Sequence, residues 1–128
     1  MKILGVGTDI VEVLRIKILI KNKSFIKRIF TKSEILNSKK TNSKANYFSK
    51  RFAAKEALMK AIGTGFAKSV NFKDICVLNN KLGKPYIKYN NKIKKLIISK
   101  FKIKNFNLFL SLSDEKNYSI AFVIIQQK

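Results

Sequence analysis

The sequence predicts a single α+β domain, residues 1–128, with a largely antiparallel sheet packed against a long central helix. The length of 128 residues is that of one domain, and a hydrophobic content of 46% is enough for one core. Strand-like segments follow each other in pairs in the second half of the chain, which favours antiparallel hairpins. An alanine-rich segment in the middle has a strong helical preference. Together these observations indicate the fold class.

The first half of the chain is expected to open with a strand and continue with helices. Residues 2–10 (KILGVGTDI) are predicted as the strand, with glycines where the backbone can approach another group closely. Residues 11–22 have apolar positions near helical spacing, and Asp9 is a possible N-cap for this helix. Two short helices, each opened by Ser or Thr, and a polar loop are expected at residues 24–30, 31–37 and 37–46.

The longest helix is predicted from about Ala45 to Ile62, with Gly63 as the residue that ends it. A strand that contains the single cysteine, Cys76, follows this helix and is joined to the next strand by a hairpin. An amphipathic helix and two closing strands complete the domain. The elements of this second half are expected at residues 72–78, 85–89, 91–101, 107–113 and 118–126.

The chain is strongly basic, with 28 Lys and Arg against 7 Asp and Glu and a formal net charge of +21. Such a charge indicates an acidic partner, which could be nucleic acid, a membrane surface or an acidic protein. The excess is mostly lysine, and a bias toward A/T-rich codons would produce the same composition, so the charge does not choose among these partners. The absence of histidine is more informative, because it excludes an imidazole base or metal ligand.

The N-terminal segment does not have the pattern of a signal peptide, because its short apolar run contains two glycines and is closed by Asp9 and Glu12. No stretch approaches the roughly eighteen uninterrupted apolar residues of a membrane-spanning helix. The single cysteine, Cys76, cannot form an internal disulfide and suits a reducing compartment. We therefore expect a soluble protein of the cytoplasm.

Glu56 and Lys60 are the first candidate functional residues, and they are four positions apart on one face of the central helix. One interpretation is an exposed salt bridge that contributes a few tenths of a kcal/mol. The other is a carboxylate and an ammonium group that point toward a phosphate and its metal ion. The spacing alone favours the salt bridge.

Asp9 is the second candidate, because it follows an apolar strand, where functional carboxylates often lie. Two carboxylates from separate elements, Asp9 and Glu56, could hold Mg²⁺ and leave positions for water and phosphate oxygens. The loop Gly63-Thr64-Gly65 would then allow a phosphate to approach the backbone. The alternatives are an N-cap role for Asp9 and a simple helix-ending turn for the glycine loop.

Four motifs occur in order along nearly the whole chain. They are GVGTDIVEVLRI (5–16), KRFAAKEALMKAIGTG (50–65), LGKP (82–85), and SLSDE followed by YSIAFVII (111–125). The first two are long and specific. Together the motifs closely resemble those of the holo-[acyl-carrier-protein] synthase branch of the 4′-phosphopantetheinyl transferases.

This resemblance implies a function. Members of the family transfer the 4′-phosphopantetheine group of coenzyme A to a serine of apo acyl carrier protein, a step that serves fatty acid biosynthesis. The second product is adenosine 3′,5′-bisphosphate. The family is Mg²⁺-dependent and homotrimeric, with active sites between adjacent subunits and an acidic carrier protein as the partner.

The resemblance also implies roles for individual residues. Asp9 and Glu56 match the Mg²⁺ ligands, and Lys60 matches a lysine that contacts the phosphates of coenzyme A. Arg15 matches an arginine on the first helix that meets the carrier protein. The expected nucleotide-binding residues are Gly63, Thr64, Gly65, Gly83, Lys84 and Pro85.

One position departs from the family pattern. Many members have histidine near the nucleotide where this chain has Asp114. A carboxylate would repel a phosphate, so we expect Asp114 to face ribose, base or solvent, and the general base to be a carboxylate or a metal-activated water. The alternative function is a small basic nucleic-acid-binding protein, which accounts for the charge but leaves the acidic residues of the first two motifs unexplained.

Overall fold

The computed structural model describes residues 2–66 and 70–128. Strand β1 (Ile3–Glu12) is followed by four helices and then by a short 3₁₀ turn. A hairpin, one further helix and two closing strands complete the described chain. The bounds are α1 (Val13–Leu19), α2 (Lys23–Ile29), α3 (Lys32–Ser38), α4 (Lys44–Ile62), 3₁₀ (Phe72–Asp74), β2 (Ile75–Asn79), β3 (Pro85–Tyr89), α5 (Asn91–Phe101), β4 (Phe106–Asp114) and β5 (Tyr118–Gln127).

The strands form two antiparallel sheets. The larger sheet has the order β1-β5-β4, so the first strand of the chain pairs with the last. The hairpin of β2 and β3 forms the second sheet. The predicted α+β class and the antiparallel pairing are therefore confirmed, and the strands are divided between two sheets.

Helix α4 is the centre of the domain, and it packs against β1 and β5 of the larger sheet. Almost every position around its circumference is buried. Gly5 and Gly7 allow this close packing, because a Cβ at either position would overlap the backbone carbonyl oxygen of Ala61 or Ala57. The predicted role of the strand glycines, a close backbone approach, is confirmed.

Substituting Gly7 by alanine is expected to destabilise the protein by about 2 kcal/mol or more, because the added methyl group meets helix backbone that cannot rotate away. The midpoint of urea unfolding should fall accordingly at fixed protein concentration. An unchanged midpoint would contradict the close contact between β1 and α4.

Two helix starts differ from the expectations. Helix α1 begins at Val13 with Glu12 at the N-cap position, so the proposal of Asp9 as N-cap is wrong, and Asp9 lies inside β1. Helix α2 is capped by Asn22, whose side chain accepts a hydrogen bond from the backbone N–H of Ser24, rather than by a serine or threonine. Both errors arose because strand pairing and the preceding turn, which no local pattern shows, decide where these helices begin.

The ends of the other helices agree more closely with the expectations. Helix α3 has a capping box between Thr31 and Glu34, and Gly63 ends α4 with a φ of 89°. Helix α5 has its predicted bounds. The strand expected at residues 72–78 starts three residues later, after the 3₁₀ turn, and its Cys76 is half-buried. No helix within residues 2–66 and 70–128 is long and apolar enough to cross a membrane.

A buried ion pair lies beside the central helix. The Lys55 Nζ donates to Glu34 Oε1 at 2.7 Å and to the backbone oxygen of Ile29 at 2.8 Å, and both charged side chains are fully buried. The Glu34 carboxylate also accepts backbone N–H groups from Thr31 and Val77. This pair joins α3, α4 and β2 through hydrogen bonds in the core.

Candidate active site

The carboxylate cluster consists of Asp9, Glu56 and Lys60. Asp9 lies on the face of β1 that packs on α4, because it is two residues beyond Gly7 on the same side of the strand. The Lys60 Nζ donates to Asp9 Oδ1 at 3.0 Å and to the backbone oxygen of Thr8 at 3.1 Å. The fold therefore brings Asp9 and Lys60, which are 51 residues apart, into direct contact.

Glu56 is half-buried on the same side of α4. Burial and the charge of Asp9 raise the pKa of the Glu56 carboxyl above its usual range, while Lys60 and Arg15 oppose this shift. Within the described residues Lys60 pairs with Asp9 and not with Glu56, so the interpretation of an exposed Glu56–Lys60 salt bridge is wrong. The Glu56 carboxyl instead lies within reach of the charges of Asp9, Lys60 and Arg15 of α1.

The donor set of this cluster fits Mg²⁺. Residues 2–66 and 70–128 contain no group of three or more acidic, Cys or His side chains that could enclose a metal ion. Mg²⁺ is typically bound by one or two carboxylates, with water and substrate phosphate as its other ligands. Asp9 and Glu56 provide two hard oxygen ligands. Burial and, after it, the charge of Asp9 raise the pKa of Glu56, and a divalent cation would offset both effects.

The glycine loop, residues 63–65, begins three residues after Lys60 and is exposed. Gly63 and Gly65 have φ angles of 89° and 67°, and a Cβ at either position would meet open space. The Thr64 Oγ1 donates to the backbone oxygen of Gly65. The glycines are therefore needed for the backbone conformation of the loop, which leaves its outer side accessible beside the carboxylate cluster.

A second candidate region, the basic cavity, has a volume of about 460 Å³. It contains three cationic side chains and one carboxylate. Gly83 and Pro85 of the predicted nucleotide-binding turn lie on its wall, whereas Lys84 borders a neighbouring hollow near Phe109. Its lining includes Lys40, Tyr47, Lys50, Arg51, Asn79 and Asp114.

Arg51 is the main residue of this cavity that the sequence analysis missed. Its side chain is only 6% exposed, and its Nη2 donates to Asn79 Oδ1 at 2.6 Å. The Nε is buried without a hydrogen-bond partner, and no carboxylate of the described residues forms an ion pair with the guanidinium. Burial lowers the pKa of Arg51, and Tyr47 and Glu34 oppose this. A buried cation without a carboxylate in ion-pair contact indicates an anion-binding site.

Asp114 lines the basic cavity but is already engaged there. Its Oδ2 accepts a hydrogen bond from Asn46 Nδ2 at 2.8 Å, and its Oδ1 lies 3.7 Å from Lys50 Nζ. The carboxylate is therefore bound to α4 and partly neutralised by one lysine. That it faces ribose, base or solvent remains a prediction.

The carboxylate cluster and the basic cavity are separate in one chain. None of Asp9, Glu56 and Lys60 belongs to the lining of the cavity. Arg51 and Glu56 are five residues apart on α4, which places their side chains about 140° apart around the helix axis. The predicted metal ligands, Asp9 and Glu56, therefore do not share a pocket with Gly83 and Pro85 of the predicted nucleotide-binding turn.

Comparisons with known proteins identify the family. A model described as the 4′-phosphopantetheinyl transferase superfamily matches residues 5–123. The holo-[acyl-carrier-protein] synthase of Pelagibacter ubique is 60% identical over 128 residues, which are all of both chains.

Solved structures agree with the sequence relatives. The holo-[acyl-carrier-protein] synthase of Neisseria meningitidis is 39% identical, with a TM-score of 0.87 over 98% of this chain and 100% of the other. The synthase of Bacillus anthracis in complex with CoA (3′,5′-ADP) is 33% identical, with a TM-score of 0.81 over 98% of both chains.

Proposed function

We propose that this chain, which belongs to the 4′-phosphopantetheinyl transferase superfamily and groups with its holo-[acyl-carrier-protein] synthases, transfers 4′-phosphopantetheine from coenzyme A to a serine of apo acyl carrier protein. The observation that carries the proposal is the contact between Asp9 of β1 and Lys60 of α4, one helical turn from Glu56, whose carboxyl the charge of Asp9 affects. Adenosine 3′,5′-bisphosphate is the second product. The transfer supplies holo carrier protein for fatty acid biosynthesis.

The reaction is a displacement at the β-phosphorus of coenzyme A. The serine oxygen forms a bond to this phosphorus while the bond to the oxygen shared with the α-phosphate breaks. Mg²⁺, held by Asp9 and Glu56, would neutralise charge on the pyrophosphate. Glu56 accepts the serine proton, and Lys60 exchanges its contact with Asp9 for one with the phosphate oxygens.

The basic cavity is proposed to bind the other phosphate of coenzyme A. The pyrophosphate contains the bond that breaks, so it must lie beside the carboxylate cluster. The 3′-phosphate then remains for Arg51, whose buried Nε has no hydrogen-bond partner, close to Gly83 and Pro85. Because cluster and cavity are separate in one chain, the cavity that completes a site belongs to a neighbouring copy.

The proposed partner is an acidic carrier protein that docks on α1. Arg15 is exposed beside the carboxylate cluster, and its guanidinium lies 5.7 Å from the centre of the Phe52 ring. Leu14 and Ile18 are each 58% exposed on the same helix. An apolar and basic surface of this kind fits an acidic amphipathic helix, and the net charge of +21 would accelerate the encounter at low salt. A cytoplasmic location stays a prediction.

The proposed assembly is a homotrimer formed through the outer face of the larger sheet. This face carries exposed apolar side chains from all three of its strands, a pattern that is uncommon on monomers. They are Val6, Ile10, Phe109, Tyr118, Ile120 and Phe122. Burying this face between copies would bring the carboxylate cluster of one copy toward the cavity of another.

Replacing Phe122, which is 41% exposed at the middle of this face, by glutamate is expected to dissociate the trimer. Sedimentation should change from three times the chain mass of 14.7 kDa to the mass of one chain, and transfer should fall with it. Leu36→Glu, an equally drastic change at a 62% exposed position on α3, is the control and should leave the trimer intact. A monomeric wild-type protein would contradict this assembly.

The function is tested by mixing the protein with coenzyme A, Mg²⁺ and apo carrier protein and measuring the mass of the carrier. We expect a gain of one phosphopantetheine group, located on a serine, and no gain when Mg²⁺ is removed by a chelator. Retention of RNA with no change in carrier mass would overturn the proposal and favour a nucleic-acid-binding protein.

A further inference from the structure

We infer that Tyr47 positions Arg51 in the basic cavity and thereby tightens binding of a phosphate monoester without taking part in the chemical step. This inference rests on the proposed function for the identity of the phosphate, the 3′-phosphate of coenzyme A. Tyr47 is not among the residues implied by the motifs. It lies one turn before Arg51 on α4 and lines the same cavity.

The contact between the two side chains is close. The guanidinium carbon of Arg51 lies 3.7 Å from the centre of the Tyr47 ring, and Arg51 Nη1 donates to the backbone oxygen of Tyr47 at 3.3 Å. Asn79 Oδ1 accepts from Nη2 on the other side. The guanidinium is therefore held by an aromatic face, a carbonyl and an amide, all of them neutral groups.

Tyr47 is itself fixed by the core. It is 8% exposed, and its hydroxyl donates to the backbone oxygen of Glu34, the residue of the buried ion pair. The ring of Phe48 meets the Tyr47 ring edge-on, with 5.1 Å between the ring centres. The orientation of the Tyr47 ring is thus set by side-chain packing and by a hydrogen bond to α3. The ring in turn determines the rotamer of Arg51.

The fact that only neutral groups hold the Arg51 guanidinium has a consequence for ligand binding. A carboxylate partner would hold Arg51 as firmly but would neutralise the charge that a phosphate needs. A ring under the guanidinium stabilises the cation through its π-face and occupies none of the five N–H donors. Arg51 is therefore kept in place without an ion pair to any carboxylate of residues 2–66 and 70–128.

Two substitutions separate the contribution of the Tyr47 ring from that of its hydroxyl group. Tyr47→Leu removes the ring and keeps an apolar side chain, and Tyr47→Phe keeps the ring and removes the hydroxyl. We expect Tyr47→Leu to raise both the KM and the Kd for coenzyme A about tenfold and to change kcat less than about twofold. Tyr47→Phe should restore most of the affinity. The KM and Kd for 3′-dephospho-coenzyme A should hardly differ among the three proteins.

Phe25→Leu is the matched control, because Phe25 is a buried aromatic residue that is 7% exposed, and its aromatic neighbours are Phe30 and Phe52. It should lower stability at least as much as Tyr47→Leu and leave the Kd for coenzyme A unchanged. Equal losses of affinity for coenzyme A and its 3′-dephospho form, or an equal effect of Phe25→Leu, would show a general structural role and overturn the inference. Failure of the proposed function is distinguishable, because transfer would then be absent from the wild type while the Kd values still report on Tyr47.

Discussion

Replacing Glu56 by glutamine is expected to lower the rate of phosphopantetheine transfer by about 10²- to 10⁴-fold while the fold stays intact. Glutamine has nearly the same shape, so the packing of α4 on β1 is kept. It cannot accept the serine proton, and it contributes no charge toward a divalent cation beside Asp9. The loss should appear in kcat with saturating coenzyme A, carrier protein and Mg²⁺, as measured by the mass of the carrier.

The same substitution is expected to raise stability at neutral pH. Burial and the nearby Asp9 raise the pKa of Glu56, so the folded protein binds the Glu56 proton more tightly than the unfolded chain does. The protonated carboxyl therefore favours the fold at low pH, and this contribution is lost as pH rises through the raised pKa. Glutamine stays neutral, so Tm at pH 7 without Mg²⁺ should equal or exceed that of the wild type.

Two variants control for this result. Asp9→Asn should lose activity in the same way, because Asp9 is the other carboxylate of the cluster. Glu12→Gln removes an exposed carboxylate from the same strand, and its side chain makes no capping hydrogen bond, so it should keep normal activity. Near wild-type turnover of Glu56→Gln at saturating Mg²⁺ would refute the assigned role of Glu56.

Much of the fold could be predicted from the sequence, because the strongest local signals agree with the tertiary structure. The alanine-rich helix ends at Gly63 as expected, and the strand glycines mark the contact between β1 and α4. The sequence motifs singled out Asp9, but only the strand pairing shows that it faces the helix. The end of β1 at Glu12 was missed for the same reason, since pairing with β5 extends the strand beyond its local pattern.

Arg51 and Lys55 could not be interpreted from the sequence. Both lie within a motif rich in basic residues, where a cation is ordinarily exposed to solvent. Their partners, Asn79 and Glu34, are 28 and 21 residues away, and helix α4 is buried on nearly all sides, so it has no polar stripe that would set these two residues apart. Lys55 is buried with a carboxylate partner, and Arg51 is buried without a carboxylate in ion-pair contact. This difference depends on the tertiary structure and not on the local sequence.

Replacing Glu34 by glutamine is expected to lower the free energy of unfolding by about 3–5 kcal/mol, the largest effect on stability that we predict. Glu34 and Lys55 are both fully buried, and burial lowers the pKa of Lys55 while the carboxylate opposes this. Without the carboxylate, Lys55 keeps a buried charge or loses its proton, and either outcome costs free energy. The glutamine amide would also direct an N–H group at the backbone N–H of Thr31 or Val77.

A double-mutant cycle separates this pair from a general loss of packing. Lys55→Met removes the buried cation, so Glu34→Gln should cost less in the Lys55→Met background, by about 1–3 kcal/mol, than in the wild type. Asp114→Asn, which removes the half-exposed pair with Lys50, is the control and should cost less than about 1 kcal/mol. Urea unfolding at one fixed protein concentration measures each value. Additive effects of Glu34→Gln and Lys55→Met would mean that the two side chains stabilise the domain independently, whereas coupling would show that the buried charges act as one unit joining α3 to the helix that carries Glu56.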